Sequence, residues 1–563
     1  MLILCLFFAL GACEFGSGQT PEWLEQFEKP REAPKDAIAP RLLANLDNAF
    51  FGAVVADEPL ATLAARNVLA AGGTAADAAV ALYFSLAVTY PSAAGLGGGG
   101  ICVVHDPENQ QVVVLDFLKP LPARSDLEPG LVPGNVAGMA ALHLRYRGKE
   151  WGDLLLPAEE YAKNGVRVSR ALGQDLARDS TRLLADAEAR HLFANFEGTI
   201  LHEGDRLSQL ELVSTLKHVR SLGPASFYQG AIARKLVAAS ATVGGVLDHA
   251  ALGGLRAEWQ SPLATRFDEE TLYTVDSTGG RVVLRMWEML TQGDRYRKAS
   301  TDDIPHLLAE VGMRAFAGAD AKGGREDWMA DYDPRSHLPV ERLPFAPISY
   351  PDETATTGYV VVDRKGLAVL CAHTMNRPFG TGRAIPGTGI LFAAPMAAGS
   401  DIALAPVLVM RHIGRMRLSE PDAKETGLLK MRKEDPLDYT EGTAPAYTET
   451  EPIFLAVPSG GAPSISALVQ VAAETLLGGR SLAEALTAAR VHHAGLPDAV
   501  AVEEKLSSEG HGGLLERNHR TKVVEALGRV NAVACREGVR LGPENCEIKN
   551  EPRGSGAGLG TGR

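Results

Sequence analysis

The stretch TTGYVVVD-RKG-LAVLCAHTMN, residues 356–376, decides the fold. Two runs rich in Val, Leu and other strand-forming residues, 356–363 and 367–376, flank the short polar segment 364–366. Apolar runs joined by a glycine-containing turn of this length are typical of a β-hairpin. The pattern therefore predicts two antiparallel strands at the start of a β-rich block.

The register of this hairpin can be read from residue numbers. If Asp363 pairs with Leu367 across the turn, Thr356 lies opposite Thr374. Directly opposed side chains are close enough for two hydroxyls to hydrogen-bond, and Asn376 follows two residues later on the same face. One edge of the hairpin then gathers two hydroxyls and an amide, provided that the register does not slip by one residue.

A second candidate site is the turn SGG at 459–461, between a predicted strand at 453–457 and a predicted helix at about 464–477. Peptide N–H groups at a helix start have no partner inside the helix and carry positive potential. Glycine lets an anion approach them closely. Gly460 and Gly461 are therefore candidate donors to a developing oxyanion.

The amino terminus resembles an export signal. Residues 1–12, MLILCLFFALGA, are almost wholly apolar, too short to span a bilayer, and end in small residues before Cys13. We interpret 1–12 as a signal peptide, Cys13 as a lipidated residue and 13–40 as a polar tether, which predicts a periplasm-facing lipoprotein of the bacterial cell envelope. A simple secretory signal or a wrongly assigned start is the alternative, because no Lys or Arg precedes the apolar run.

Composition excludes some partners. The formal net charge is −13, without a basic stripe that would indicate nucleic acid. No pair of cysteines has metal-ligand spacing. Cys102 and Cys371 lie in apolar runs and are interpreted as small core residues. Cys535 and Cys546 flank a polar loop, where a disulfide and two free thiols remain equally open.

The remaining chain alternates helical and strand-like blocks. Residues 59–90 predict two alanine-rich helices with a capping box from Thr74 to Asp77. Two strands are expected at 101–105 and 111–117. The segment 157–310 is expected to be a helical cover layer, and 411–446 a polar loop or lid.

Beyond these local signals, the chain resembles the gamma-glutamyltranspeptidase family over most of its length. The resemblance rests on ordered blocks: AGGTAADAAV at 71–80, YPSAAGLGGGG at 90–100, VPGNVAG at 132–138, TTGYVVVD at 356–363, NRPFGTG at 376–382, PGTGIL at 386–391, PSGG at 458–461, ARVHH at 489–493, and Asp498. So many blocks in the family's order do not arise by chance.

The resemblance implies an α+β fold, the four-layer αββα sandwich of the N-terminal-nucleophile hydrolases. It also implies self-cleavage between Ala355 and Thr356, giving a large subunit, 41–355, and a small subunit, 356–563, that stay associated. Thr356 would then be both nucleophile and new amino terminus, with its own α-amine as the base.

The same resemblance implies roles for four other residues. Thr374 would orient or activate the nucleophile, Asn376 would help to hold the substrate, and Gly460 and Gly461 would stabilise the oxyanion. The acyl group would pass to Thr356 and then to water or an amine. Gamma-glutamyl compounds such as glutathione are the inherited substrates, and no metal or organic cofactor follows.

The departures from the family's pattern fall on substrate recognition. They are Gly358 in place of a histidine, Leu118 and Lys119 where an arginine is expected, the apolar run 392–398 in place of an acidic amine-binding stretch, Ile402–Ala403 in place of paired serines, and Leu404–Pro406 in place of Met-Ser-Pro. Lys119 could stand in for the arginine as a point charge. Two alternatives stay open: an acylase for less polar amides, like the cephalosporin-acylase relatives, and a catalytically silent envelope lipoprotein.

Overall fold

The computed structural model describes residues 52–121, 130–240, 247–319, 328–344, 349–351, 354–396, 399–413, 449–539 and 545–561. The predicted signal 1–12, tether 13–40 and lipidated Cys13 lie outside the described residues, as does all but the start of the predicted loop 411–446. Within the described part, no helix is both long and apolar enough to cross a membrane.

Strands and helices are numbered here within the described residues. The strands are β1 (Gly52–Ala56), β2 (Gly99–Asp106), β3 (Gln111–Asp116), β4 (Lys119–Pro120), β5 (Leu131–Val132), β6 (Val166–Arg167), β7 (Arg206–Leu207), β8 (Glu258–Gln260), β9 (Leu263–Phe267), β10 (Glu270–Thr274), β11 (Thr356–Asp363), β12 (Ala368–Thr374), β13 (Ala384–Ile385), β14 (Ile390–Leu391), β15 (Val407–Ile413), β16 (Glu449–Ser459), β17 (Val491–His492), β18 (Val500–Glu503), β19 (Thr521–Val524), β20 (Arg529–Cys535), β21 (Cys546–Lys549) and β22 (Ala557–Thr561).

The α-helices are α1 (Pro59–Ala70), α2 (Ala75–Thr89), α3 (Pro91–Ala94), α4 (Asn135–Tyr146), α5 (Trp151–Asn164), α6 (Arg170–Ala185), α7 (Ala187–Phe193), α8 (Leu210–Leu222), α9 (Ala225–Tyr228), α10 (Gly230–Ser240), α11 (His249–Gly254), α12 (Thr278–Thr291), α13 (Arg295–Lys298), α14 (Ile304–Ala317), α15 (Ala462–Ala472), α16 (Leu482–Thr487) and α17 (Ser508–Glu516).

Two antiparallel sheets form the centre of the fold. The first has the order β22-β1-β11-β12-β2-β3-β8 and the second β21-β20-β16-β15-β10-β9. Their facing sides share one apolar core, to which β11 and β12 contribute Val360 and Leu370 while β15 and β16 contribute Leu408 and Leu455. Side chains alternate across a strand, so one set can fill this core while the next faces a helical layer.

Helices cover both outer faces. Alanine-rich α1 and α2 pack with α4 and α5 on the first sheet, and α12, α14 and α15 pack on the second. Every residue of α2 is buried, because its small side chains allow close packing on all sides. The result is helix, sheet, sheet, helix, which confirms the predicted αββα sandwich.

The predicted hairpin has the expected register. Thr356 pairs with Thr374 and Val362 with Ala368, and the peptide N–H of Asp363 donates to the carbonyl of Leu367 across the turn. The predicted capping box is also confirmed: the side chain of Thr74 accepts from the N–H of Asp77, whose carboxylate accepts in return.

The predicted helical cover at 157–310 is partly wrong, because β8, β9 and β10 interrupt it. The strands β8 and β9 lie at sheet edges, where several side chains face solvent, and β10 lies next to the edge strand β9. Edge strands therefore lack the apolar runs by which buried strands are recognised. The strand β15 was likewise missed because its last residues, which are only partly buried, run into the polar stretch.

Cys102 and Cys371 are not simple core thiols, and the interpretation of them as such is wrong. They face each other on β2 and β12 and form a disulfide between residues 269 positions apart. Cys535 and Cys546, opposite each other on β20 and β21, form a second disulfide. Of the two states that the sequence left open for these cysteines, the structure has the disulfide, and it joins two strands of the second sheet.

Candidate active site

Thr356 is the first residue of β11, and its side chain is 1% exposed. The structure describes the chain with Ala355 still joined to Thr356, which is the form on which the predicted cleavage would act. The hydroxyl of Thr356 lies 3.4 Å from that of Thr374, as the register predicts. The two hydroxyls thus meet at the end of the hairpin that carries the predicted cleavage site.

The carbonyl oxygen of Ala355 is held by two donors. The hydroxyl of Thr374 donates to it at 3.1 Å, and the peptide N–H of Met375 donates at 3.0 Å. Two donors on one carbonyl oxygen withdraw electron density from its carbon and stabilise an oxyanion when a nucleophile adds. The peptide bond before Thr356 is therefore polarised toward attack.

Thr354 is a participant that the sequence did not reveal. Its hydroxyl donates to the carbonyl of Gly460, which can only accept. The same hydroxyl lies 2.9 Å from that of Thr356. Because the Thr354 hydroxyl has one proton to donate, Thr354 accepts from Thr356, whose own single proton is shared between Thr354 and the hydroxyl of Thr374.

Gly460 and Gly461 lie at the turn between β16 and α15, beside this cluster. Gly460 has φ +114°, a left-handed conformation that L side chains rarely adopt. Gly461 is the residue before the first helical turn. Both line the same cavity as Thr356, which places the N-terminus of α15 at the reacting centre.

Asn376 has φ +61°, which asparagine tolerates better than most residues. Its peptide N–H donates to the Thr374 hydroxyl at 2.8 Å, and its side-chain NH₂ donates to Ala394 at 2.8 Å. The side-chain oxygen is buried and has no hydrogen-bond partner among the described residues. Asn376 positions Thr374 directly, but it is not among the described residues lining the cavity.

Below the nucleophile, Asp57 ties the two sheets together. Its carboxylate accepts from the hydroxyl of Thr357 at 2.8 Å and from the side-chain amide of Asn531 at 2.8 Å. Gly358 lets the sheets approach here, since an added Cβ would lie 2.2 Å from Val457 Cγ1. The start of β11 is thus fixed from both sides.

The nucleophile opens on a cavity of about 320 Å³. Its wall is mainly apolar near β18 and β19, and charged near α6 and β20. The lining residues include Asp175, Arg178, Tyr350, Thr354, Ala355, Thr356, Ser459, Gly460, Gly461, Lys522, Arg529 and Arg553. Lys119 is not part of this lining and instead pairs with Glu258 at 2.6 Å, so the structure gives it no place as a substrate anchor.

A cluster of six histidines and acids lies elsewhere, where α14 meets the loop after β17. Its members are His306, Glu310, His337, His493, Asp498 and His519. They form two triples, His306 with Glu310 and His519, and His337 with His493 and Asp498. Within each triple the possible metal-ligand atoms lie within 4.8 Å of one another. Sequence reasoning missed the cluster, although the i, i+4 spacing of His306 and Glu310 on one helix face was a usable signal.

Hydrogen-bond partners fix the protons of this cluster. His493 Nδ1 accepts the N–H of Gly495 at 3.1 Å, so its proton lies on Nε2 and points at Asp498, 3.1 Å away. His337 faces two carboxylates, Glu310 at 2.6 Å and Asp498 at 3.0 Å, which favours a doubly protonated ring. In the triple of His337, His493 and Asp498, the ring nitrogens that would bind a metal already carry protons for carboxylates, so these residues form a hydrogen-bonded ion network.

Charges within the network shift its titration. Burial opposes ionisation of Glu310, but the hydrogen bond from His337 and the charge of Arg314 outweigh it and lower the pKa to about 2. Burial alone would lower the pKa of His337, yet Glu310 and Asp498 raise it above 6.5. Burial and the charge of His337 lower the pKa of His519 to about 3.

An αββα sandwich with a threonine at the head of a central strand, beside a glycine turn at a helix start, defines an N-terminal-nucleophile hydrolase. The family model described as gamma-glutamyltranspeptidase matches residues 61–343 and 448–561. The chain belongs to this family and is a self-processing enzyme of the gamma-glutamyltransferase type.

Individual proteins agree with this assignment. The glutathione hydrolase proenzyme of Escherichia coli strain K12 is 27% identical over 522 residues, covering 86% of this chain and 88% of that protein. The glutathione hydrolase proenzyme of Pseudomonas aeruginosa is 28% identical over 564 residues, with 90% and 94% coverage. The crystal structure of cephalosporin acylase from Bacillus halodurans shares the fold, with a TM-score of 0.68 at 20% identity over 94% of this chain and 99% of that one.

Proposed function

We propose that the protein cuts its own chain between Ala355 and Thr356 and then uses Thr356 to hydrolyse or transfer gamma-glutamyl amides such as glutathione. The observation that carries the proposal is the doubly hydrogen-bonded carbonyl of Ala355, beside the oriented hydroxyl of Thr356. An ordinary peptide bond entering a strand needs no such arrangement.

Cleavage begins when Thr356 Oγ1 adds to the carbonyl carbon of Ala355. The carbon–nitrogen bond breaks, the hydroxyl proton passes to the leaving nitrogen, and an ester joins Ala355 to the Thr356 side chain. Water then hydrolyses the ester and leaves a carboxylate on Ala355 and a free α-amine on Thr356. That amine becomes the base for the same hydroxyl in later turnovers.

In turnover, Thr356 takes the acyl group from the substrate amide and passes it to water or to an amine. We assign Thr374 to orienting the nucleophile, Gly460 and Gly461 to stabilising the oxyanion, and Asn376 to holding Thr374 in place and donating or accepting at the substrate. The positions of Thr374, Gly460 and Gly461 around the end of β11 support their roles, and the buried side-chain oxygen of Asn376, without a partner among the described residues, supports a further acceptor there. The assignment requires no metal or organic cofactor.

The names of the two bacterial relatives favour gamma-glutamyl donors over the alternative of an acylase for less polar amides. The silent-lipoprotein alternative is disfavoured by the intact arrangement at Thr356 and Thr374. A scaffold without activity has no need of a polarised peptide bond or of paired hydroxyls at a buried strand end.

We further propose that the protein is exported to the bacterial cell envelope, either secreted or held by a lipid on Cys13. Two disulfides support an oxidising compartment, since such bonds persist outside the cytosol. Mass spectrometry of the amino-terminal peptide from membranes decides between the anchored and the secreted form.

The test is the amino-terminal sequence of the smaller fragment after reduction of the purified protein. We expect it to begin at Thr356 and to be absent from a Thr356→Ala variant, which should also fail to release p-nitroaniline from L-γ-glutamyl-p-nitroanilide. Thr356→Ser is the matched control, because it keeps a hydroxyl and should still cleave slowly. A full-length chain in active wild-type protein would overturn the proposal.

A further inference from the structure

The charged residues of the active-site cavity have an unequal distribution. Among the described residues that line it, Asp175 is the single acid, whereas the cations are Arg178, Lys522, Arg529 and Arg553. Arg553 also forms ion pairs with Glu503 and Glu551. A substrate in this cavity therefore meets an excess of positive charge and one carboxylate.

Arg529 is a cation that lies beside the oxyanion donors. It begins β20 and pairs with Ser459, the last residue of β16, and its Nε lies 3.4 Å from the Ser459 hydroxyl. Gly460 follows Ser459 directly. The half-buried guanidinium of Arg529 can thus bind the carboxylate of a substrate whose reacting carbonyl lies at Gly460.

Asp175 lies on α6 and its side chain is only 15% exposed. Its carboxylate accepts from the hydroxyl of Ser92 at 2.7 Å and lies 3.8 Å from the guanidinium of Arg178. Burial raises the pKa of Asp175, and the hydrogen bond from Ser92 and the charges of Arg529 and Arg178 partly offset this. The carboxylate is held in place, and an ammonium ion would favour its charged form.

The precursor itself shows which part of a substrate enters this space. Ala355, the acyl side of the peptide bond to be cut, lines the cavity together with Thr354 and Tyr350. The acyl carbon of a substrate bonds to the same Thr356 hydroxyl, so its acyl group enters the cavity on which that hydroxyl opens. The charged residues at α6 and β20 therefore face the acyl donor.

We propose that Arg529 and Asp175 bind the α-carboxylate and the α-ammonium of an amino-acid acyl donor, in place of the anchors that Leu118 and the apolar run 392–398 do not supply. This inference rests on the proposed function. In a γ-glutamyl group, two methylenes separate the reacting carbonyl from the carbon that carries both charges. One end of the donor then lies at Gly460 while the other reaches the Arg529 and Asp175 side chains.

The experiment compares three p-nitroanilides on the processed protein: L-γ-glutamyl, with both charges; glutaryl, with the carboxylate alone; and valeryl, with neither. We expect Asp175→Asn to lower kcat/KM for the glutamyl anilide by about 10- to 100-fold, the value of one charged hydrogen bond, and to leave the glutaryl anilide largely unchanged. Arg529→Gln should lower kcat/KM for the glutamyl and the glutaryl anilide, which both carry a carboxylate, and leave kcat/KM for the valeryl anilide unchanged. Lys522→Gln, which removes an exposed cation from the same lining, is the matched control.

A second measurement does not depend on turnover. L-glutamate should raise the Tm of processed wild-type protein more than glutarate does, because a ligand stabilises the state that binds it, and Asp175→Asn should remove the difference. Equal rates on glutamyl and valeryl anilides would overturn the assignment of these anchors while leaving the hydrolase intact. If no anilide is cleaved, the proposed function fails, and the Tm shifts still decide whether Asp175 binds the ammonium group.

Discussion

The hydroxyl of Thr374 donates a hydrogen bond to the carbonyl oxygen of Ala355 across 3.1 Å. It makes this contact while accepting the N–H of Asn376 at 2.8 Å. Thr374 therefore acts on the bond to be cut as well as on the nucleophile, and the two roles can be separated by mutation.

A Thr374→Val variant keeps the shape of the side chain but removes its donor. We expect self-cleavage to slow by about 10²- to 10³-fold, the usual effect of losing one oxyanion donor, with the N–H of Met375 supporting the remainder. Reducing electrophoresis over time after expression measures the rate. Thr374→Ser should cleave near the wild-type rate, and equal half-times for wild type and Thr374→Val would show that the hydrogen bond has no part in cleavage.

Thr354 gives a second prediction, because its hydroxyl is hydrogen-bonded to that of Thr356, 2.9 Å away, in the uncut chain. We expect Thr354→Val to slow self-cleavage by about tenfold, since one hydrogen bond that orients the nucleophile is lost. Thr354→Ser should restore the rate, because it restores the acceptor. If Ser and Val variants cleave equally slowly, the residue acts through packing and not through its hydroxyl.

The sequence predicts the parts of this site that depend on local geometry. A three-residue turn fixes the register of β11 and β12, and so places Thr356 opposite Thr374 without knowledge of the rest of the fold. Thr354 could not be found in this way. Its role depends on the carbonyl of Gly460, more than a hundred positions along the chain.

The same distinction applies to the fold and to the anchors. Helices α1 and α2 were predicted because capping and apolar pattern are local, whereas the pairing of Cys102 with Cys371 depends on β2 lying beside β12. Arg529 and Asp175 lie on β20 and α6, more than 300 positions apart in sequence, and only the fold brings them to the same cavity. Composition and motifs do not predict which residues distant in sequence come to lie in one cavity.

The disulfide between Cys102 and Cys371 makes a prediction about the mature protein. Cys102 belongs to the predicted large subunit and Cys371 to the small one, so cleavage after Ala355 leaves the two pieces covalently joined. We expect one band of full size on non-reducing electrophoresis and two bands after reduction. The Cys535–Cys546 bridge lies within the small subunit, and a Cys535→Ser, Cys546→Ser double variant is the control that should keep the single non-reduced band.

The bridge also changes how cleavage has to be measured. A full-size band without reductant does not indicate an uncut chain. A Cys102→Ser, Cys371→Ser variant should show two bands under both conditions if it still cleaves. Two separate bands from wild-type protein without reductant would contradict the inter-subunit bond.

His337 links the predicted large subunit to the small one through Asp498, and its partner Glu310 lies on α14. The pKa of His337 is raised above 6.5, the ordinary value for histidine. Its contribution to stability is therefore complete below pH 6.5 and is lost as the pH rises through the folded-state pKa. Glu310, with its pKa lowered to about 2, contributes fully above 4.5 and less as the pH falls toward 2. Both contributions are therefore complete between pH 4.5 and 6.5.

We expect His337→Gln to lower the free energy of unfolding by about 3 kcal/mol in that window, since it leaves two buried or half-buried carboxylates without their shared cation. The difference from the parent protein should narrow as the pH rises above the folded-state pKa of His337. Urea unfolding in a Thr356→Ala background, where the chain stays whole, gives the free energies at each pH. The control is His202→Gln, which removes an exposed histidine beside Asp205 and should have little effect on the free energy of unfolding at any pH. If the loss of stability in His337→Gln does not change with pH, His337 acts through packing and not through its charge.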